Sequence, residues 1–417
     1  MYSEKTILQK IQKTHGKRLE LQLVSGAQIN RVLTAISKSL IDHTPLILKA
    51  NQKDLDKMDK KSPLYDRLLL NETRILSIAN SIKKVVRLED PTNTKLIQRK
   101  LPNGIELEKI TTPLGVVAAI FESRPNVVAD ISTLCLKSRN ACILKGSKDA
   151  DHTNRAIIEV IQEILSKFQL SKELVYLLPP EREVVQLLFS ATRYIDVIIP
   201  RGSNSLIEFV RKNSLVPVIE TGAGVCHTYV HQAADIKMAV NIVVNAKTQR
   251  PSVCNSLDTI LVDEAIAAKF LSALQPEFKE KEVLIYADTK SFAALKGYPH
   301  LFPSKKEDYF REFLSMACAI KVVKNLEEAL RHIELHGTRH SESIITSNKK
   351  AAEEFLKLVD AAAVYHNAST RFTDGEEFGL GAEVGISTQK LHARGPFALE
   401  KLVTEKWILK GEGQIRK

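Results

Sequence analysis

Residues 245–259 read NAKTQRPSVCNSLDT, and they contain the cysteine of this chain that its surroundings could best arm for chemistry. Cys254 follows the polar end of an amphipathic run (Ala239, Val240, Ile242, Val243) and precedes a strand-like segment from Thr259. The spacing predicts a loop between a helix and a strand, with Lys247 and Arg250 close by in sequence. Cationic neighbours lower a thiol's pKa from its free value of roughly 8.5 and favour the nucleophilic thiolate. The competing reading is a small buried hydrophobe, as most free cysteines are.

Other reactive groups fall at the ends of predicted strands. Phe121-Glu-Ser-Arg-Pro-Asn126 closes the first apolar strand, and the Asn126 amide can donate to an oxyanion. Another strand runs into Lys145-Gly-Ser147-Lys148, where two lysines suit an anionic group and an exposed turn is the alternative. Gly202 and Ser203 open a helix, whose free N–H groups and dipole can receive a phosphate; a plain N-cap at Ser203 accounts for the same residues. Glu220-Thr-Gly-Ala-Gly224 places a carboxylate among small residues. Asn367-Ala-Ser-Thr-Arg371 and the glycine loop 379–385 add an arginine and a pliable segment. No GxGxxG follows a strand, so the usual dinucleotide fingerprint is missing.

The elements that must hold these groups follow from periodicity. Residues 1 to about 90 read as helices, with 27–36 and 74–82 near period 3.6. Alternation over 104–110, punctuated by Pro102 and Pro113, predicts an extended ribbon. From residue 115 continuous apolar strands are expected at 115–121, 141–145, 174–178 and 194–199, with a short fifth at 216–219 and helices of 10 to 17 residues between them. That pattern is an α/β protein with a parallel sheet buried on both faces. A second alternating region spans 226 to about 365, with strands near 259–262, 315–323 and 343–346, and 406–410 reads as a last strand.

Composition narrows the function classes. Hydrophobic residues at 44% and charged residues at 26% are ordinary for a soluble globular chain of 417 residues. No apolar run approaches the roughly 20 residues of a membrane span, and the charged N-terminus does not read as a secretory signal, so a cytoplasmic location is expected. Five cysteines (135, 142, 226, 254, 318) form no CxxC, which suggests neither disulfide framework nor metal site. The net charge of +11 is spread among acids, with only 6% aromatic residues. A basic surface that attracts anionic substrates explains it better than nucleic-acid binding.

Taken together, the chain resembles the gamma-glutamyl phosphate reductases (glutamate-5-semialdehyde dehydrogenases) of the aldehyde dehydrogenase superfamily. The likeness begins near Asn51 and passes through ESRPNV (122–127), IPRGS (199–203), GVCH (224–227) and NAKTQRPSVCN (245–255). It is densest in NASTRFTDGEEFGLGAEVGISTQKLHARGP at 367–396. The resemblance implies an aldehyde dehydrogenase-like α/β fold, with two parallel-sheet domains and a β arm. Residues 1–97 and 116–225 would bind NADPH, 226–365 would form the catalytic cysteine domain, and 98–115 with 397–417 the oligomerisation arm. Residues 366–396 would return to the active-site and cofactor side.

The same resemblance implies roles. Cys254 takes the nucleophile's place and Asn126 the oxyanion donor's. Lys145 falls where a lysine contacts the adenosine ribose. Lys148 stands where NAD-preferring relatives often place a glutamate, and would attract a 2′-phosphate. Ser147, Gly202, Ser203 and Glu220 join the cofactor-binding set, and Glu312 falls where a glutamate holds the nicotinamide ribose. Arg124, Lys247, Arg250 and Arg371 are the candidate cations for the substrate's phosphate and carboxylate. Three places depart from the family's habit: Arg139 is often glycine, His366 often valine, and Thr338-Arg339 a pair of small residues. The implied reaction is NADPH-dependent reduction of L-glutamyl 5-phosphate to L-glutamate 5-semialdehyde and phosphate through a cysteine thioester, in proline biosynthesis. A homo-oligomer and functional coupling to glutamate 5-kinase are implied with it, and no metal. The rival is an oxidative semialdehyde dehydrogenase that uses Glu220 as a hydrolytic base.

Overall fold

Apolar runs without polar alternation make strands that must be covered on both faces. In the computed structural model, which describes residues 3–60 and 62–416, such runs form two parallel sheets. The chain divides into two compact units: Met1–Thr221 with Gly379–Gly385 and Phe397–Lys417, and Gly222–Phe378 with Ile386–Pro396.

In the first unit, helix Gly26–Asp42 starts where the Ser25 side chain accepts from Gln28 N–H, and helix Glu72–Arg87 where Asn71 caps Arg74. Each cap contributes about 1 kcal/mol. Ile29, Val32, Leu33 and Ile36 of one helix, and Ile75, Ile78, Ala79 and Ile82 of the other, fall three or four residues apart and are buried. The sheet holds β3 (Val116–Phe121), β4 (Ala141–Lys145), β5 (Val175–Leu177) and β6 (Val197–Arg201) in the order β5-β4-β3-β6. Every residue of β3 and β4 is buried.

The fifth strand expected at 216–219 is a single bridge, Ile198 to Val218. Ile198 N–H donates to Pro217 O (2.8 Å) and Ile219 N–H to Ile198 O (3.0 Å). The next rung on either side would need an N–H from Pro200 or Pro217, and neither has one. The helix before β6, Val184–Ser190, has only 7 residues, shorter than the spacing suggested. A three-stranded antiparallel arm, β1 (Lys95–Lys100), β2 (Glu106–Pro113) and β16 (Val403–Lys410), also belongs to this unit. It begins three residues before the arm segment expected at 98–115, and its last strand is longer than 406–410.

The second unit carries a seven-stranded parallel sheet in the order β10-β9-β11-β8-β7-β12-β13. Its strands are β7 (Cys226–Val230), β8 (Leu257–Asp263), β9 (Leu284–Ala287), β10 (Leu301–Pro303), β11 (Ala317–Val323), β12 (Ser341–Ile345) and β13 (Ala363–His366). The central strands β7, β8 and β12 are buried throughout. β9 and β10 escape sequence reading because β9 is only half covered and β10 is a three-residue edge ending in proline. Two short strands, β14 (Gly385–Ser387) and β15 (Gly395–Phe397), lie in the glycine-containing stretch. No described helix is long and apolar enough to cross a membrane.

Candidate active site

Cys254 sits in the loop between helix Ile236–Thr248 and β8, as its spacing predicted. It is half-buried, whereas Cys135, Cys142, Cys226 and Cys318 are buried. A hydrogen bond with Cys142, and then burial, push the Cys135 thiol well up; burial does the same for Cys226 and takes Cys318 up to about 12, which keeps all three protonated and inert. The loop is pinned from several directions. Thr370 Oγ1 donates to Asn255 O (2.8 Å), and Asn255 Nδ2 donates to Thr373 O (2.9 Å) and Arg371 O (3.3 Å). On the other side Gly224 passes so close that a Cβ there would stand 1.6 Å from the Cys254 carbonyl oxygen. Gly224 N–H donates to Glu312 Oε1 (3.2 Å), and burial raises the Glu312 pKa.

All of this assembles at the amino edge of the second sheet. Cys226 and Ser341 open β7 and β12, and Cys254 precedes β8. Ligands of open α/β sheets usually gather at the carboxyl edge, so this cluster lies at the edge opposite to the usual one.

The cations sort differently from their sequence reading. Arg371 Nε donates to Gln249 Oε1 (2.8 Å). Burial and the neighbouring Arg250 lower its pKa while the Cys254 charge raises it, so both groups act on it. Arg250 is exposed. Lys247 requires correction as a substrate cation. It is 0% exposed, its ammonium donates to Ala317 O (2.9 Å), and it lies 3.9 Å from Asp258. It faces inward because helix Ile236–Thr248 turns that position onto the sheet, which proximity in sequence does not reveal. Asp258, raised to about 7 by burial, accepts from Phe313 N–H (2.9 Å) and Cys226 N–H (3.4 Å).

In the first unit β4 lies on one side of β3 and β6 on the other, so a crevice is expected at the carboxyl ends of β3 and β6. Glu122, passed over by sequence reasoning, fills that end. Its carboxylate accepts from Ser203 N–H (2.9 Å) and Ser203 Oγ (2.6 Å), and a Cβ on Gly202 would stand 2.6 Å from Glu122 Cδ. Ser203 also N-caps helix Asn204–Asn213. The donors read as a phosphate cradle at Gly202 and Ser203 are therefore taken by a carboxylate, which a phosphate would have to displace.

Lys145 is 6% exposed and donates to Gly146 O and Pro180 O, both at 3.0 Å; burial lowers its pKa. Lys148 is exposed beside Ser147, whose Oγ lies 3.1 Å from Ser123 Oγ. Two lysines at the carboxyl edge of β4, Lys145 and Lys148, suit the negative charge of a dinucleotide at this edge. Asn126 opens helix Asn126–Lys137, and its Nδ2 donates to Asp130 Oδ2 (3.0 Å). Arg124 lies in the turn before it, half-buried. Glu220 Oε1 is 3.9 Å from Arg211 Nε. Gly385, from the late glycine stretch, is pressed against Thr221 and Arg201 of the same unit.

The unusual residues have local reasons. Arg139 (φ 62°) and Arg339 (φ 63°) occupy the left-handed region that favours glycine. Arg139 offsets the strain with bonds to Asp90 Oδ2 (2.7 Å), Lys137 O (2.7 Å) and Val24 O (3.2 Å). His366 Nε2 meets Thr346 O at 2.9 Å, a contact no valine could make. Among the described residues no group of three or more His, Cys, Asp or Glu is arranged to hold a metal.

Comparison with known proteins points one way. A model of the aldehyde dehydrogenase family matches residues 41–290. The gamma-glutamyl phosphate reductase of Bacteroides thetaiotaomicron is 50% identical over 400 residues, covering 95% of this chain and 96% of that protein. That of Chlorobaculum parvum is 48% identical over 419 residues, covering 100% of both. The crystal structure of gamma-glutamyl phosphate reductase from Thermotoga maritima superposes with a TM-score of 0.95 at 39% identity, covering 99% of this chain and 100% of that one. An acetylating aldehyde dehydrogenase from Geobacillus thermoglucosidasius shares the fold, with TM-score 0.70 at 17% identity over 100% of both chains.

Proposed function

Because the chain belongs to the gamma-glutamyl phosphate reductases of the aldehyde dehydrogenase family, we propose that it reduces L-glutamyl 5-phosphate to L-glutamate 5-semialdehyde and phosphate in proline biosynthesis. The observation that carries the mechanism is the pinned loop with its half-buried Cys254 beside four buried cysteines. The Cys254 thiolate attacks the acyl carbon. In this reading the tetrahedral oxyanion would be held by the Cys254 N–H and by Asn126 Nδ2, the donor that the family resemblance implies. The bond from carbon to the phosphate oxygen breaks, and phosphate leaves with the electron pair. Being a good leaving group, it needs no strong general acid.

A nicotinamide cofactor, NADPH in this reading, would supply the hydride that reduces the thioester. Lys148 and Ser147 would hold its 2′-phosphate, Lys145 the adenosine ribose and Glu312 the nicotinamide ribose. Cys254 then leaves as thiolate and the aldehyde is released. Arg371, within electrostatic reach of Cys254, and Arg250 are the substrate cations best supported by position, with Arg124 the third. Glu220, turned toward Arg211, orients the cofactor side instead of activating water.

The arm supports a homo-oligomer, because Trp407 is 48% and Leu409 57% exposed on a three-stranded ribbon. Free thiols suit a reducing cytoplasm, and a labile acyl phosphate favours direct supply by glutamate 5-kinase. The deciding experiment incubates glutamate 5-semialdehyde with NADP⁺, with and without phosphate, for the wild type and Cys254→Ala. Phosphate-dependent reduction of NADP⁺, lost in Cys254→Ala with NADPH binding intact, is expected. Phosphate-independent oxidation that vanishes in Glu220→Ala would establish the hydrolytic rival.

A further inference from the structure

A buried thiol beneath the loop has no part in the chemistry just described. Cys226 opens β7, is 0% exposed, and its Sγ lies 3.2 Å from the carbonyl oxygen of Cys254. One other polar atom competes for its proton, His340 Nδ1 at 3.8 Å. That nitrogen is already met by Ser341 Oγ at 2.8 Å, and Ser341 Oγ in turn meets Thr373 Oγ1 at 2.6 Å. Thr373 Oγ1 is also 2.7 Å from Tyr365 OH. The shorter approach and the occupied nitrogen both direct the S–H to the Cys254 carbonyl. Burial holds the Cys226 thiol protonated and lowers the His340 imidazole to about 4, so donor and neighbour keep these states at neutral pH.

We propose that Cys226 is a positioning residue, whose S–H bond to the Cys254 carbonyl fixes the peptide that carries the nucleophile. The peptide between Cys254 and Asn255 is thus held at its first carbonyl by Cys226. Asn255 itself is held through its carbonyl by Thr370 and through its amide by Thr373 and Arg371. Gly224 admits the contact, since any Cβ there would collide with the same oxygen. Rotation of that peptide would swing the Cys254 Cα–Cβ bond, and misplacement by about 1 Å can cost a hundredfold in rate. The inference rests on Cys254 being the nucleophile.

Two substitutions separate positioning from packing. Cys226→Val keeps the bulk and removes the donor, and Cys226→Ser keeps a donor. Cys226→Val is expected to lower kcat about tenfold with KM changed less than about twofold, while Cys226→Ser stays within about threefold of wild type. Alkylation of Cys254 by iodoacetamide, which needs neither substrate nor cofactor, should slow in parallel in the valine variant alone. Loss of that pattern speaks against Cys226, whereas a fully active Cys254→Ala would speak against the nucleophile itself. Unchanged alkylation and turnover in Cys226→Val, or equal losses in both variants, would overturn the proposal. Should Cys226→Val not fold, Cys226→Ala faces the same outcomes; failure of both to fold would make the thiol a packing group and end the idea.

Discussion

At the scale of single residues, the two lysines beside the proposed chemistry have opposite fates, and each predicts a different measurement. Lys148 is exposed at the carboxyl edge of β4. A charge-assisted contact to a 2′-phosphate contributes about 1.5–3 kcal/mol, and about 1.4 kcal/mol is a factor of ten. Lys148→Glu should therefore weaken NADPH at least about tenfold and leave NADH unchanged or improved, while Lys145→Ala harms both. Titration of the two cofactors checks this, and an unaltered preference would move the phosphate contact to Ser147 or Arg201. Lys247, buried near the Cys254 loop, serves stability instead. Lys247→Met leaves Asp258 without its cation, and unpairing a buried charge costs up to about 3–5 kcal/mol. Protonation of Asp258, already favoured near neutral pH, softens that loss. The expected result is a lower Tm with KM for the acyl phosphate nearly unchanged. A large rise in KM at constant Tm would restore Lys247 as a substrate cation.

At the scale of elements, two glycines that look alike in sequence differ in what surrounds them. A Cβ at Gly224 meets backbone, 1.6 Å from Cys254 O, whereas at Gly202 it meets the end of the Glu122 side chain. Backbone cannot step aside cheaply, and overpacking typically costs about 1–3 kcal/mol. Gly224→Ala should lower both Tm and the alkylation rate of Cys254; Gly202→Ala should retain Tm and alter cofactor affinity alone. Equal behaviour of the two variants in thermal melts and alkylation would contradict this contrast. Although β7 is equally buried, His227 and Thr228 break its apolar run and no strand was read there; elements were legible where an apolar run is uninterrupted, as at 116–121 and 141–145. Residues 216–219 looked the same, yet Pro200 and Pro217 withhold the donors of the neighbouring rungs, a fact visible only once the two segments are in register. The places of Cys254 in a loop between helix and strand, and of Asn126 just past the end of β3, were legible from sequence pattern. Cys226 and Glu122 were not, since one resembles strand core and the other a solvated turn, and their partners lie 28 and 81 residues away.

For the whole molecule, buried ionisable groups set the response to acid. Burial lowers His332 to about 2 and His340 to about 4, while an unfolded histidine titrates near about 6.5. Below that pH the unfolded chain takes up protons that the folded one refuses. Their contribution is thus complete above about pH 6.5 and drains away as pH falls toward the folded values, at about 1.4 kcal/mol per pH unit for each proton. Asp258 works the other way: raised to about 7, it favours the fold more as pH falls from there. The net slope mixes both, so the test is a difference. Between pH 6.5 and 5, His332→Leu should melt with a shallower acid dependence than wild type, and Asp258→Asn with a steeper one. Parallel curves for all three proteins would contradict the assignment.

The groups that hold the Cys254 loop come from residues 224–226, 254–255, 340–341 and 370–373. During synthesis a ribosome must therefore release more than a hundred residues beyond Cys254 before the thiol can be set. Closing contacts over such separations is slow. On the mechanism proposed above, the nascent chain would carry a commonplace cysteine that gains its reactivity only once these distant segments have closed around it. In refolding from denaturant, selective alkylation of Cys254 should appear after the helical signal has recovered, and a chain ending at residue 365 should never gain it. Early selectivity, or selectivity in that shortened chain, would mean that the thiol is armed by its local sequence alone.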